Sequence, residues 1–157
     1  MPSADDRRSA AAASPACGPR GAYVAGVREQ DVEAVRASYE ALNRKDIGGT
    51  VAVLAADAEW HESSELPDSD VFMGREAVRE FLQGFLEQWS EFQQVVEDVT
   101  VEGDRAVVFI HLTARGRESG AGVDARYAHL WTVRDGKGVR VDAYYDRDSA
   151  LRALASP

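Results

Sequence analysis

Carboxylates and imidazoles are the groups in this chain that could move protons, and only a few of them fall where they could cooperate. His129 and Asp142 lie on two adjoining segments joined by Asp135–Gly136, a pair that favours a two-residue hairpin turn. If Arg134 pairs with Lys137, positions summing to 271 face each other, and His129 stands opposite Asp142. Glu62 sits in AEWHES two residues from Trp60, which puts both side chains on one face of a strand. His61, between them, belongs to the opposite face, where a rim or surface histidine is the commoner case. His111 falls among outward positions suited to a subunit interface. Glu62, Glu65, Asp68 and Asp70 cluster in one loop, but without the glycine pattern of a calcium loop they read as a solvated acidic segment. The three histidines are too scattered for a zinc motif, and the single cysteine, Cys17, excludes an internal disulfide. No metal and no cofactor is expected.

The elements that must hold these groups follow from periodicity. Val32, Val35, Tyr39 and Leu42 make one helical stripe over 31–46, with Gly48–Gly49 as its stop. A short helix is expected near 50–56 and a short strand at 58–63. The run SELPDSDVF reads as a loop. The strongest helix is 75–89, where Val78, Phe81, Leu82, Phe85, Leu86 and Trp89 recur at i, i+3, i+4, i+7, i+8 and i+11. Period-2 segments at 92–101, 105–115, 123–134 and 139–146 predict antiparallel strands, and 149–154 a closing helix. The fold class is α+β, with N-terminal helices packed in a curved, mostly antiparallel sheet. The plainer apolar set (Val108, Ile110, Leu112 and Ala114; Ala128, Leu130 and Thr132; Val139, Val141, Ala143 and Tyr145) is expected on the concave face. The mixed set, with Tyr127, His129, Trp131, Arg140 and Asp142, is expected on the convex face. There a bulge would be needed to turn the His129/Asp142 pair inward.

The chain has 157 residues, enough for one domain. Residues 1–28 are rich in Ala, Ser, Pro and Gly without apolar periodicity and read as a disordered tail, with 29–157 as the folded domain. Ala10–Ala13 is too short and weak for the apolar core of a signal peptide, so a cytoplasmic location is expected. The net charge of −9 splits into +2 on those 28 residues and −11 on the rest, which disfavours nucleic acid and anionic lipid as partners. Arginine supplies 16 of the 18 basic residues, a bias associated with GC-rich bacterial genomes.

The runs SYEALNRKDIGGTVAVLAADAEWHE, GREAVREFL and AHLWTVRDGKGVRVDAYYDRDSAL resemble the nuclear transport factor 2-like superfamily, and within it the SnoaL-like, polyketide-cyclase-like group. The resemblance spans about 31–154 and implies a cone-shaped pocket, usually in a homodimer formed through the outer sheet face. Compared with the steroid isomerases of the superfamily, the general-base carboxylate falls on Glu62. The two oxyanion donors fall on Ser38 and Ala128, and the supporting tyrosine on Leu82, so the base is carried over and the oxyanion machinery is not. In the polyketide cyclases an aspartate and a histidine come from the last strands, for which Asp142 or Asp146 with His129 are the candidates. The resemblance implies a small, mostly apolar organic ligand such as a polyketide. The expected activity is cofactor-independent proton transfer (cyclisation, isomerisation or dehydration), with Glu62, Asp142 and His129 as catalytic candidates. Trp60, Phe81, Phe85, Trp89, Ile110, Leu112, Leu130 and Tyr145 would line the binding pocket. A non-catalytic binding or assembly module of the same fold is the alternative. Epoxide hydrolysis is a third, resting on Arg140 and Asp142.

Overall fold

The computed structural model describes residues 26–62 and 69–156. Residues 1–25 of the tail reading, Cys17, Glu65 and Asp68 therefore lie outside the described residues, whereas Val27 donates its N–H to Gly103 O at 2.8 Å and packs against the core, so the domain begins a few residues before 29. Helix α1 (Glu29–Asn43) turns Val35, Tyr39 and Leu42 inward, as the stripe predicts. It starts where Asp31 folds back to accept the backbone N–H of Arg28 at 2.9 Å. The double glycine does not stop it. Gly48 and Gly49 lie within α2 (Ile47–Val51), whose N-cap Asp46 accepts the Gly49 N–H at 3.0 Å. That cap requires a glycine, because a Cβ at residue 49 would sit 2.6 Å from the Asp46 carboxylate.

Strand β1 (Leu54–His61) follows. A short β2 (Val71–Met73), in a segment the sequence reads as loop, then leads into α3 (Arg75–Glu87). Strands β3 (Trp89–Glu102), β4 (Arg105–Gly116), β5 (Gly122–Arg134) and β6 (Lys137–Tyr144) and helix α4 (Arg147–Ala155) complete the chain. The six strands form one sheet in the order β2-β1-β6-β5-β4-β3, antiparallel except for β1 against β6. The α+β expectation holds, with the concave face packed on α1, α2 and α3 around Val35, Leu42, Val78, Leu82, Val108 and Val141.

The face assignment of β5 does not hold. Asp135 and Gly136 both have positive φ, as a two-residue hairpin turn requires, and Arg134↔Lys137 and Val133↔Gly138 pair in the expected register. The next pairs are Thr132↔Arg140 and Trp131↔Val141, so Val139 is an extra residue and a β-bulge. One inserted residue exchanges the faces of the two strands relative to each other. Tyr127, His129 and Trp131 therefore share the concave face with Val141 and Ala143, while Ala128 and Leu130 turn to the convex face with Asp142. The convex face is not open there. Ala150 and Leu154 of α4 cover Val107, Phe109, Ala128 and Leu130, forming a second small core. Both sides of this part of the sheet are buried, so apolarity alone does not tell them apart.

Candidate functional site

The concave face closes around an open cavity of about 270 Å³. α1 contributes Ser38, Tyr39 and Leu42, α3 contributes Phe81, Leu82 and Phe85, and β1 contributes Leu54 and Trp60. Glu62 follows β1 at one wall. Gln94, Leu112, Tyr127, His129 and Trp131 come from β3, β4 and β5, and Ala143 and Tyr145 stand at the end of β6. The walls are mostly aromatic and aliphatic, and the polar atoms are few.

Glu62 is the carboxylate among them. Trp60 donates its indole N–H to Glu62 Oε2 at 2.6 Å. Burial pushes the Glu62 carboxyl above the usual range against the lowering effect of that hydrogen bond, and nearby Asp70 adds to the rise. Trp60 meets the His129 ring edge-on, with centroids 5.0 Å apart. His129 is buried at the cavity wall, and that burial pulls its pKa down to about 3, so its ring is neutral at physiological pH. Its Nδ1 lies 2.7 Å from the Tyr39 hydroxyl, which receives the Trp131 indole N–H at 3.0 Å. Beside it, Tyr127 accepts an N–H from Gln94, and among the described residues neither the phenol proton nor the buried Gln94 Oε1 has a partner. Burial raises the Tyr127 pKa, so the phenol also stays protonated.

Of the residues singled out from the sequence, Glu62, His129, Trp60, Phe81, Phe85, Leu112 and Tyr145 line the cavity. Four do not. Asp142 lies on the convex face, where the Arg140 guanidinium clasps it at 2.9 Å; the bulge that turns His129 inward separates the expected dyad. The same clasp keeps Arg140 and Asp142 out of any epoxide-opening arrangement in the cavity. Leu130 packs under α4, again because of the bulge. Ile110 shares the parity of Leu112 but is consumed in the core, 1% exposed. Trp89 begins β3 rather than ending α3, and its ring packs against Phe85.

The positions on which the oxyanion donors fall, Ser38 and Ala128, supply no donor to the cavity. Ser38 lines the cavity, but its hydroxyl donates to Val35 O of its own helix at 2.6 Å. Ala128 is buried on the convex side. The neighbours one position along, Tyr39 and His129, bring polar groups inward instead. Tyr39 was legible in the α1 stripe as an inward residue. Tyr127 and Gln94 gave no such signal, because their inward orientation depends on strand register. Among the described residues no cluster of His, Cys, Asp and Glu could hold a metal ion, and no helix is long and apolar enough to cross a membrane.

The SnoaL-like domain model matches residues 35–141. The chain belongs to the SnoaL-like family. No curated protein matches the sequence. Among solved structures, a putative SnoaL-like polyketide cyclase from Jannaschia sp. is 24% identical with a TM-score of 0.66, covering 82% of this chain and 93% of its own. A Catenulispora acidiphila protein with a ketosteroid isomerase-like fold, in complex with trimethylamine, is 16% identical with a TM-score of 0.65, covering 80% and 94%. TerC, co-crystallised with polyporic acid, is 25% identical with a TM-score of 0.64, covering 80% and 98%. These solved structures share the fold of this chain, in which the concave face of the sheet bounds the cavity.

Burial of His129 gives an expected pH signature in stability. The unfolded ring titrates near ~6.5 and the folded one at about 3. Between those values only the unfolded chain takes up the proton. The stabilisation from keeping His129 neutral is therefore complete above pH ~6.5 and lost as pH falls toward 3, by at most about 5 kcal/mol. Glu62 acts with the opposite sign: its contribution is present at low pH and is lost as pH rises through its raised folded value. Denaturant unfolding of the wild type is expected to weaken steeply from pH 6.5 downward. His129→Gln, which has no proton to gain there, is expected to show a shallower slope; equal slopes would contradict the assignment.

Proposed function

We propose that this protein catalyses cofactor-independent proton transfer at a carbon beside a carbonyl, in a small, mostly apolar ring-bearing molecule. The net reaction would be an isomerisation, a cyclisation or a dehydration. The observation that carries this reading is a desolvated carboxylate, Glu62, held by Trp60 at the wall of an apolar cavity that also contains a neutral imidazole. Burial raises the basicity of such a carboxylate toward the value that suits proton abstraction near neutral pH. In this reading Glu62 is the base, and His129 faces the oxygen on which charge develops. Trp60, Phe81, Phe85, Leu112 and Tyr145 position the ligand. Co-crystallisation of TerC with polyporic acid is consistent with a small organic ligand in a related chain.

The cavity stays open between Phe81, Phe85 and Tyr145 rather than being filled by them, and this favours an enzyme over a pure binding or assembly module. The direct test is deuterium exchange into 2-tetralone, a two-ring ketone, followed by proton NMR in heavy water. The protein is expected to exchange the protons beside the carbonyl faster than buffer. Exchange at the buffer rate, with the ketone bound, would favour the binding module.

The proposal includes a homodimer formed through the convex face beyond α4. That face carries half-exposed Val95 and the cross-strand pairs Glu97–Arg126 and His111–Asp124. Sedimentation equilibrium is expected to give twice the chain mass at micromolar concentration. A single-chain mass would remove this part of the proposal.

A further inference from the structure

The Tyr39 hydroxyl has one proton to give and two lone pairs to fill. Trp131, with no acceptor capacity in its indole N–H, must donate, and it fills one lone pair at 3.0 Å. Tyr39 is buried, and burial holds its phenol in the protonated form. Among the described residues the only acceptor for its proton is His129 Nδ1, 2.7 Å away. If Nδ1 carried a hydrogen, the Tyr39 proton would be buried without a partner, the arrangement that folded proteins avoid. The ring's hydrogen then belongs on Nε2, for which the described residues supply no hydrogen-bond partner, in a ring that lines the cavity.

We infer that Tyr39, itself held by Trp131, fixes His129 as the Nε2–H tautomer, so that the cavity presents a neutral donor to a ligand's carbonyl or enolate oxygen. Tyr39 is a positioning residue here, acting through His129. The inference deepens the proton-transfer reading and rests on it for the ligand class, although the tautomer itself does not depend on turnover. The Tyr127 phenol, with no partner for its proton among the described residues and its ring centroid 5.2 Å from that of His129, is placed to give the same oxygen a second donor.

The experiment is a long-range proton–nitrogen NMR correlation on the full-length resting protein, with the His129 signals identified by their loss in His129→Gln. The expected pattern is a protonated Nε2 and an unprotonated Nδ1. A protonated Nδ1 would overturn the inference whatever the activity. In Tyr39→Phe the pattern is expected to shift toward a mixture of tautomers, and a pure Nε2–H form persisting there would show that Tyr39 does not set it. Calorimetric binding supplies the ligand arm. Wild-type protein is expected to hold 2-tetralone about tenfold more tightly than tetralin, its carbonyl-free analogue, and Tyr39→Phe to lose most of that preference. Equal affinity of the wild type for the two probes would overturn the donor assignment. Slow proton exchange with the expected tautomer would instead count against Glu62 as base. If Tyr39→Phe does not fold, the wild-type tautomer and the two-probe comparison still decide the matter.

Discussion

Glu62→Gln is expected to slow exchange of the protons beside the carbonyl of 2-tetralone by about 10²- to 10⁴-fold, the range typical of a lost general base. The amide has nearly the shape of the carboxyl group and can still accept the Trp60 indole N–H through its oxygen, so the wall of the cavity and the affinity for the ketone should change little. What the amide cannot do is take a proton from carbon. Glu62→Asp separates reach from basicity. It keeps the charge but draws the carboxylate back by one methylene, away from the Trp60 N–H that now holds it at 2.6 Å. An intermediate rate is therefore expected, because displacement of a catalytic group by about 1 Å costs on the order of 10²-fold. A Gln variant that exchanges at the wild-type rate would remove Glu62 from the chemistry.

The second large effect lies behind the site, at Trp131. This indole is 2% exposed and donates to Tyr39, which in turn contacts His129. Its six-membered ring packs against Gly138, where a Cβ would come within 2.7 Å of Trp131 Cζ3, 2.8 Å of Cε3 and 3.3 Å of Leu54 Cδ2. Trp131→Ala is expected to lower stability by about 3–5 kcal/mol, as for other large-to-small core changes. Gly138→Ala approaches the same contact from the other side. With an aromatic ring and a core leucine as the nearest atoms, little can yield, so about 1–3 kcal/mol of overpacking cost is expected. Because the displaced ring is the one that holds Tyr39, the alanine variant should also slow exchange in whatever fraction remains folded. Denaturant unfolding checks the first effect and proton exchange the second. A Gly138→Ala protein as stable and as active as the wild type would refute the close packing.

The contrast between Glu62 and His129 shows what was legible in the sequence. Glu62 and Trp60 share a strand face by simple parity, and the helical stripes placed Tyr39, Phe81 and Phe85 inward; local periodicity reaches that far. The turn at Asp135–Gly136 was also readable, and the first two pairs beyond it follow its register. The inserted residue at Val139 was not readable. Around it Trp131 packs beside Gly138, and α4 covers Ala128 and Leu130 on the other face. A pattern rule that sends the plainer apolar residues to the core has no basis for choosing when both faces are buried. That single register step decided whether His129 faced Asp142 or the cavity. It also turned Tyr127 into the pocket, whereas Gln94 faces it through the β3–β4 register, opposite Leu112. Asp142 illustrates the same limit from the other direction: two residues from Arg140 on one strand, it is spent in an ion pair on the convex face.

Glu62 as the base is tested most directly by the pH–rate profile for 5-nitrobenzisoxazole, a chromogenic probe that requires only a base and a donor. Glu62 would take the proton from C3, the C–H electron pair would form the nitrile, and the N–O bond would break to leave a phenolate oxygen. Neutral His129 would stabilise the charge on that oxygen. Protein-catalysed ring opening is expected to rise with pH through a midpoint above the usual carboxylate range, in line with the upward shift of Glu62. This component should be absent in Glu62→Gln. A rate no faster than buffer, or a profile identical in wild type and Glu62→Gln, would contradict Glu62 as the base.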